Sequence, residues 1–277
     1  MRCHILGSLS LFLAGEQSLP IPSTHSFTTM SSRVSSSITS DDTIDPDESF
    51  ITVLGFGSLL SERSSRVTFP DLQNFRLGRL PNFRRVYAHP AHVFFRLGVA
   101  DLPTLQMSSL SVEPCPGQDC LVSVFEVPNQ EMMQDGVPSR AFLEREEEFD
   151  IVSVPYLELD KESLQYSADP QMGIVCQRST DQAYVERWGK ERFQERYVKY
   201  GVDTIWNWST DSGLRPCAVY LRHCYLAAKA MGEDCYTSFL DQTFLVDRKT
   251  TIRQYLEAHP EVLDTPPPPE VSERYGG

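Results

Sequence analysis

Residues 51–59, Ile-Thr-Val-Leu-Gly-Phe-Gly-Ser-Leu, constrain the chain more than any other segment. Ile51 to Leu54 are apolar and partly β-branched, which is the pattern of a buried strand. Gly55 and Gly57 come at once after it, and glycine reaches backbone conformations closed to other residues. A strand must therefore run into a tight turn. Successive N–H groups in such a turn form a nest that attracts anions. A dinucleotide-binding turn needs a third glycine where Leu60 stands, and a P-loop needs a lysine after a later glycine. The chain has neither. Val53, Leu54, Gly55, Phe56, Gly57, Ser58 and Leu59 are thus candidate ligand-binding residues of a non-nucleotide site.

The second feature is an acidic run, Leu143-Glu-Arg-Glu-Glu-Glu-Phe149. Pro138 and Ser139 are helix-start residues, and no Gly or Pro interrupts the run after them. At about 100° per residue, Phe142, Leu143, Glu146 and Phe149 share one side. Glu144, Glu147 and Glu148 point away to solvent, and Arg145 lies near the flank. A carboxylate on an apolar face is costly unless it is paired, protonated or used in chemistry. Glu146 is accordingly the candidate catalytic residue, and the other three glutamates read as a solvated face.

Taken together, these segments resemble the γ-glutamylcyclotransferase-like superfamily, which includes the glutathione-specific ChaC enzymes and the AIG2-like proteins. The family's Phe-Gly-Tyr-Gly-Ser-Leu turn is matched by Leu54-Gly55-Phe56-Gly57-Ser58-Leu59. Its aromatic-Arg-Arg strand is matched by Asn82-Phe-Arg-Arg85, and the strand before the catalytic helix by Val124-Phe-Glu-Val127. Its Arg-Glu pair is matched by Arg145-Glu146. The likeness spans roughly residues 50–158, and residues 220–255 are similar to the helical tail of plant and algal relatives. The resemblance implies a mixed α+β fold in which a small, partly closed β-barrel carries the turn and the Glu146 helix, with helices packed outside and an extra C-terminal helical segment. It also implies Glu146 as acid/base, and Arg85 is a candidate for a substrate carboxylate. By strand alternation, one of Arg84 and Arg85 can equally point inward to a protein partner and the other to water. The family's turn tyrosine is Phe56 here, so that hydroxyl is missing and another donor must serve.

The implied reaction explains why a nest and a carboxylate belong together. In a γ-glutamyl compound the α-amine attacks its own side-chain carbonyl, closing 5-oxoproline and releasing an amine. Holding the near-attack geometry supplies much of the acceleration. One carboxylate can take a proton from the α-ammonium and return one to the departing nitrogen, provided an apolar setting raises its pKa towards neutrality. The turn N–H groups and Ser58 can bind the α-carboxylate or the developing oxyanion. The chemistry requires no metal and no organic cofactor. The alternative is a non-catalytic small-molecule-binding member of the same fold.

The rest of the chain narrows the classes. With 277 residues there is room for a sizeable core, and a net charge of −13 argues against nucleic acid or an anionic membrane as partner. No run is long and apolar enough to span a bilayer. The expected partner is a small-molecule γ-glutamyl substrate, and nothing in the sequence specifies an oligomeric state. Residues 1–46 read as a targeting segment and acidic linker outside the folded domain. The Ser-rich, acid-poor stretch fits a plastid or mitochondrial transit peptide, and a start at Met30 would leave a cytoplasmic protein. Residues 47–263 form the expected domain with its C-terminal helices, and residues 264–277 a stiff Pro-rich tail without core contacts. The seven cysteines are scattered and read as reduced thiols. His89 and His92 are separated by a proline with no acidic ligand motif beside them, and read as plain loop and strand histidines, not a metal site. Trp188, Trp206 and Trp208 read as helix packing.

Patterning places strands at 84–97 (broken at His89-Pro90) and 151–159. It places a hairpin of 108–112 with 120–127 around Pro114-Cys-Pro-Gly-Gln-Asp119, and helices at 181–200, 217–231, 236–246 and 252–259.

Overall fold

The structure is a computed structural model that describes residues 50–134, 137–160, 163 and 165–275. The expected leader, and with it the choice between organelle and a Met30 start, lies outside the described residues. Strand β1 (Phe50–Gly55) runs antiparallel to β3 (Gln106–Pro128), with Phe50 opposite Pro128 and Gly55 opposite Ser123. Between them in sequence, β2 (Gln73–Pro90) lies antiparallel along β3, from Gln73 opposite Glu126 to Pro90 opposite Ser108. Strands β4 (Asp150–Glu158) and β5 (Gln171–Gln177) pair antiparallel with each other. Gly78 and Arg79 of β2 meet β4, and Val53 of β1 meets Ile174 of β5 in parallel. The ring β3-β1-β5-β4-β2 closes on itself through the β2–β3 pairing, so the mixed α+β fold with a small β-barrel is what the chain forms. Closure leaves these strands without free edges, and alternating residues such as Leu54, Leu80, Val122, Val124, Val154 and Val175 fill one core. Short strands Arg215–Pro216 and Thr243–Leu245 extend the sheet beside β3 and β2.

Two strand expectations need correction. Segments 108–112 and 120–127 do not pair with each other. They are two halves of β3, both paired to β2, and the Pro-Gly-rich piece between them is a bulge where the register jumps from Pro81/Asp119 to Phe83/Pro114. The Gly117 N–H is held there by the Asn82 side chain. Prolines and glycine interrupt a ladder, and here the partner strand bends with the interruption instead of the chain reversing. Strand β5 carries no strong alternation and was not expected, yet it closes the barrel. The segment after Pro90 is helical, not extended.

The helices lie around this barrel. Besides a single turn at Asn129–Met132, they are α1 (Glu62–Thr68), α2 (His92–Arg96), α3 (Arg140–Arg145), α4 (Asp181–Trp188), α5 (Lys190–Arg196), α6 (Ala218–Ala230), α7 (Glu233–Asp241), α8 (Ile252–Ala258) and α9 (Ser272–Tyr275). The ends obey capping chemistry: Ser61, Ser139 and Thr180 accept backbone N–H bonds, and Thr251 with Gln254 forms a capping box. The single expected helix at 181–200 is split at Gly189, and the helix expected at 236–246 starts earlier and ends before a strand. Helix α6 buries Tyr220, Leu221, His223 and Cys224 against the barrel. Val262 and Tyr275 belong to the same core cluster, with Val271 packed against it. The tail beyond Leu263 therefore does reach the core at its far end, because residues 266–269 act as a stiff spacer that carries α9 back onto α6. The six described cysteines are free thiols. Among the described residues no helix is long and apolar enough to cross a membrane.

Candidate active site

The turn after β1 is built by close approach. Gly55 faces the Ser123 hydroxyl and Leu59, with no room for a Cβ. A Cβ on Gly57 would lie 2.7 Å from the Tyr220 hydroxyl. The chain then makes a single 3-10 turn, Ser58–Leu60, closed by Leu60 N–H to Gly57 C=O. The Leu59 carbonyl accepts from the Ser123 and Ser65 hydroxyls. The Tyr220 hydroxyl lies beside the Gly57-Ser58 backbone. A phenol thus stands at the turn even though Phe56 supplies none.

Helix α3 does not continue through the glutamates. It ends at Arg145, with Glu146 as its C-cap at φ −104°, ψ 39°. Glu146, Glu147 and Glu148 form a turn, so the helical phase that pointed Glu147 and Glu148 to solvent does not apply. Both are buried, at 4% and 7% exposure. Glu147 ion-pairs with Arg192 at 2.8 Å and with Arg196. Glu148 accepts from the Tyr197 hydroxyl at 2.6 Å and from the His92 N–H at 3.0 Å. The indoles of Trp188 and Trp206 donate to the backbone carbonyls of Glu147 and Glu148, each at 3.0 Å. Glu144 alone of the three stays exposed, paired with Arg140 one helical turn back.

Both turns border one cavity of about 120 Å³. Val53, Leu54, Phe56, Gly57, Ser58 and Leu59 contribute from the first turn, and Arg145, Glu146, Glu148 and Phe149 from the second. Phe69, Phe94, Phe142, Ile174, Tyr220 and Tyr275 supply apolar and aromatic wall. The size suits an amino-acid head group, well short of the several hundred Å³ of drug-sized sites. Glu146 is partly exposed and paired with Arg145 at 3.0 Å, while the Arg145 guanidinium also stacks on Phe69. Gly55 shapes the turn from behind and does not line the cavity.

Arg85 is not in this site. It is fully buried on the other side of β2, donating to the Leu121 carbonyl and the Ser238 hydroxyl, while Arg84 pairs with Glu113. Strand alternation sends Arg85 inward to protein partners, while Arg84, which the plainer reading sent to water, is half-buried on Glu113. Arg145 is the cation among the described lining residues. His89 is buried and stacked on Trp206 at 4.2 Å, and burial pushes its imidazole down to about 3, so it stays neutral. Cys176 lines the cavity beside Glu146, but burial and that carboxylate push its thiol well above the ordinary range. A thiol so held is a poor nucleophile.

Burial, and next the neighbouring Glu147, push the Glu148 carboxyl up to about 7, against the Tyr197 and His92 hydrogen bonds that favour the charge. Glu148, which periodicity had sent to solvent, is therefore a buried acid at the cavity wall. Its only sequence signal was the unbroken run of three acids ending at an aromatic residue.

No family model matches the chain, and no curated protein does. The solved structures similar to it include a γ-glutamyl cyclotransferase, 11% identical, with a match covering 57% of this chain and 89% of that one at a TM-score of 0.33. They also include a glutathione-specific γ-glutamyl cyclotransferase from yeast, 15% identical, covering 78% and 96% at a TM-score of 0.38. An uncharacterized protein from Homo sapiens is 13% identical, covering 58% and 90% at 0.32. With these TM-scores all under 0.5, the functional reading rests on the cavity itself.

Proposed function

We propose that the chain is a γ-glutamylcyclotransferase-like enzyme that releases 5-oxoproline from glutathione or another γ-glutamyl amine or peptide. The observation that carries this reading is the small cavity shared by Glu146, Arg145 and the Gly57-Ser58 turn. In this reading Arg145 and the turn hold the substrate's carboxylate and the developing oxyanion. The aromatic walls fold the γ-glutamyl chain so that its α-nitrogen faces the δ-carbonyl, and exclude water that would compete. Glu146 takes a proton from the α-ammonium. The Tyr220 hydroxyl, at the turn, stands in for the hydroxyl that Phe56 lacks.

The test is 5-oxoproline release over a panel of γ-glutamyl peptides and amines, with wild type beside Glu146→Gln. The wild type should turn over at least one member, and Glu146→Gln should be slower by about 10²–10⁴-fold with binding retained. A wild type inert across the panel, or a fully active Glu146→Gln, overturns the proposal. A non-catalytic binder is the second reading, favoured by Phe56 at the turn; it predicts γ-glutamyl binding by calorimetry without turnover.

A further inference from the structure

Glu148 is the feature of the cavity that a one-carboxylate mechanism leaves unused. It lines the same cavity as Glu146, two residues on, yet its surroundings differ. Among the described residues no Arg or Lys ion-pairs with it, whereas Glu146 has Arg145 and Glu147 has Arg192 and Arg196. Its Oε1 is fixed by two donors, the Tyr197 hydroxyl and the His92 N–H. Tyr197 is itself locked between Phe95, Tyr184 and Phe193. The cation that faces it, Arg196, is itself paired with Glu147, so Glu148 is oriented by two hydrogen bonds and by no ion pair of its own among the described residues.

We infer that Glu148 is a second catalytic carboxylate, the acid that protonates the departing amine. The inference rests on the cyclotransfer reading above. Glu146, ionised, takes one proton from the α-ammonium. The freed nitrogen attacks the δ-carbonyl carbon, a C–N bond forms, and the carbonyl π pair moves to oxygen. Glu148, protonated, gives its proton to the amide nitrogen as that C–N bond breaks and the oxygen pair re-forms the carbonyl. The new ring nitrogen passes its surplus proton back to Glu148. The proton on Glu146 leaves with the released amine as its ammonium, and both carboxyls are restored. The elevated Glu148 pKa supports this division, since burial keeps a fraction protonated near neutrality. The titratable and charged groups facing it are Glu147 on its own turn, His92 on α2, Tyr184 on α4, Arg196 on α5 and Tyr197 just beyond.

The experiment compares two substrates that differ in their need for an acid: a γ-glutamyl alkylamine and γ-glutamyl-p-nitroanilide, whose weakly basic amine leaves without full protonation. Glu148→Gln should slow the alkylamine by about 10²-fold or more and the anilide only a few-fold. Glu146→Gln should slow both alike. Tyr197→Phe keeps the packed ring and removes one donor to the ionised Glu148, so the pH at which the alkylamine rate falls should move upward. That variant also carries the test if Glu148→Gln does not fold. Equal slowing of both substrates by Glu148→Gln, no slowing of either, or an unmoved pH profile in Tyr197→Phe overturns the role of Glu148 while Glu146→Gln still reports on cyclotransfer. A wild type inert on both substrates overturns the cyclotransfer reading and this inference with it.

Discussion

The glycine turn and the glutamate turn face the same cavity but are held by different means. Gly55-Phe56-Gly57-Ser58 is shaped by what sits within a few residues and one neighbouring strand: missing Cβ atoms, a 3-10 turn, and the Ser123 hydroxyl on β3. Tyr220 is its distant contact. Glu146-Glu147-Glu148 is shaped almost wholly from afar. Arg192, Arg196, Tyr197, Trp188 and Trp206 come from the arm after β5 and fix two carboxylates and two carbonyls. A turn defined by backbone sterics is written locally. A turn defined by charge pairing exists only once its partners have arrived.

The largest expected effect tests that contrast at Glu147. Glu147→Gln leaves Arg192 and Arg196 without their carboxylate and should cost about 3 kcal/mol, the low end for breaking a buried pair because both arginines are partly reached by water. Glu144→Gln, on the same segment, should stay within about 0.5 kcal/mol. Urea denaturation of the two variants measures both; equal small losses would mean that the glutamate turn is as local as the glycine turn.

Gly57→Ala comes next. Its new Cβ meets the Tyr220 hydroxyl and should cost about 1–3 kcal/mol. Adding Tyr220→Phe should return part of that loss, a coupling read from a double-mutant cycle. Additive losses would show that the turn does not depend on α6.

Tyr275→Ala sharpens the comparison from behind. Tyr275 is 3% exposed and meets the Tyr220 ring edge-on at 6.1 Å. Removing it should cost about 2 kcal/mol of buried ring and loosen the support that Tyr220 gives the glycine turn. Thermal unfolding reads the loss, and an unchanged midpoint would mean that α9 contributes nothing to the wall.

Per pH unit the smallest effects are slopes of stability against pH, at most about 1.4 kcal/mol for each group. Glu148 has its folded pKa raised to about 7 from 4.5. Below 4.5 both states are protonated; as pH rises towards 7 the unfolded state ionises first, so this group makes stability fall. His89 has its folded pKa lowered to about 3 from 6.5. As pH falls below 6.5 the unfolded state gains a proton that the folded state refuses, so stability falls towards acid. Glu148→Gln should flatten the first slope and His89→Phe the second, tracked by denaturation from pH 4 to 8. Either variant steepening its slope contradicts the burial assigned to it.

Legibility obeys the same division. The first strand and the turn were readable because a buried strand and paired glycines carry their reasons in adjacent residues, whereas the placing of Glu146 beside the turn came from the Arg145-Glu146 resemblance, since the helix it was projected on stops at Arg145. Helices α6 and α8 were readable from apolar spacing and end signals. Glu147 and Glu148 were not, because a 100° projection assumes that the helix continues, and it stops at Arg145 where Phe149 is drawn in beside His89 and Trp206. Strand β5 was invisible, being defined by its neighbours on both sides.

What the sequence determined by itself is a strand that must end in a glycine turn, an Arg-Glu pair where a short apolar-faced helix ends, and the net negative charge of the chain. Periodicity and steric exclusion act over a few residues and need no partner to be read. Tertiary structure alone decided that Arg85 serves the core while Arg145 lines the cavity, that Tyr220 brings a hydroxyl to the turn, and that Glu148 is a buried acid. Those outcomes turn on desolvation and on partners far along the chain, and neither has a value until the fold brings the groups together.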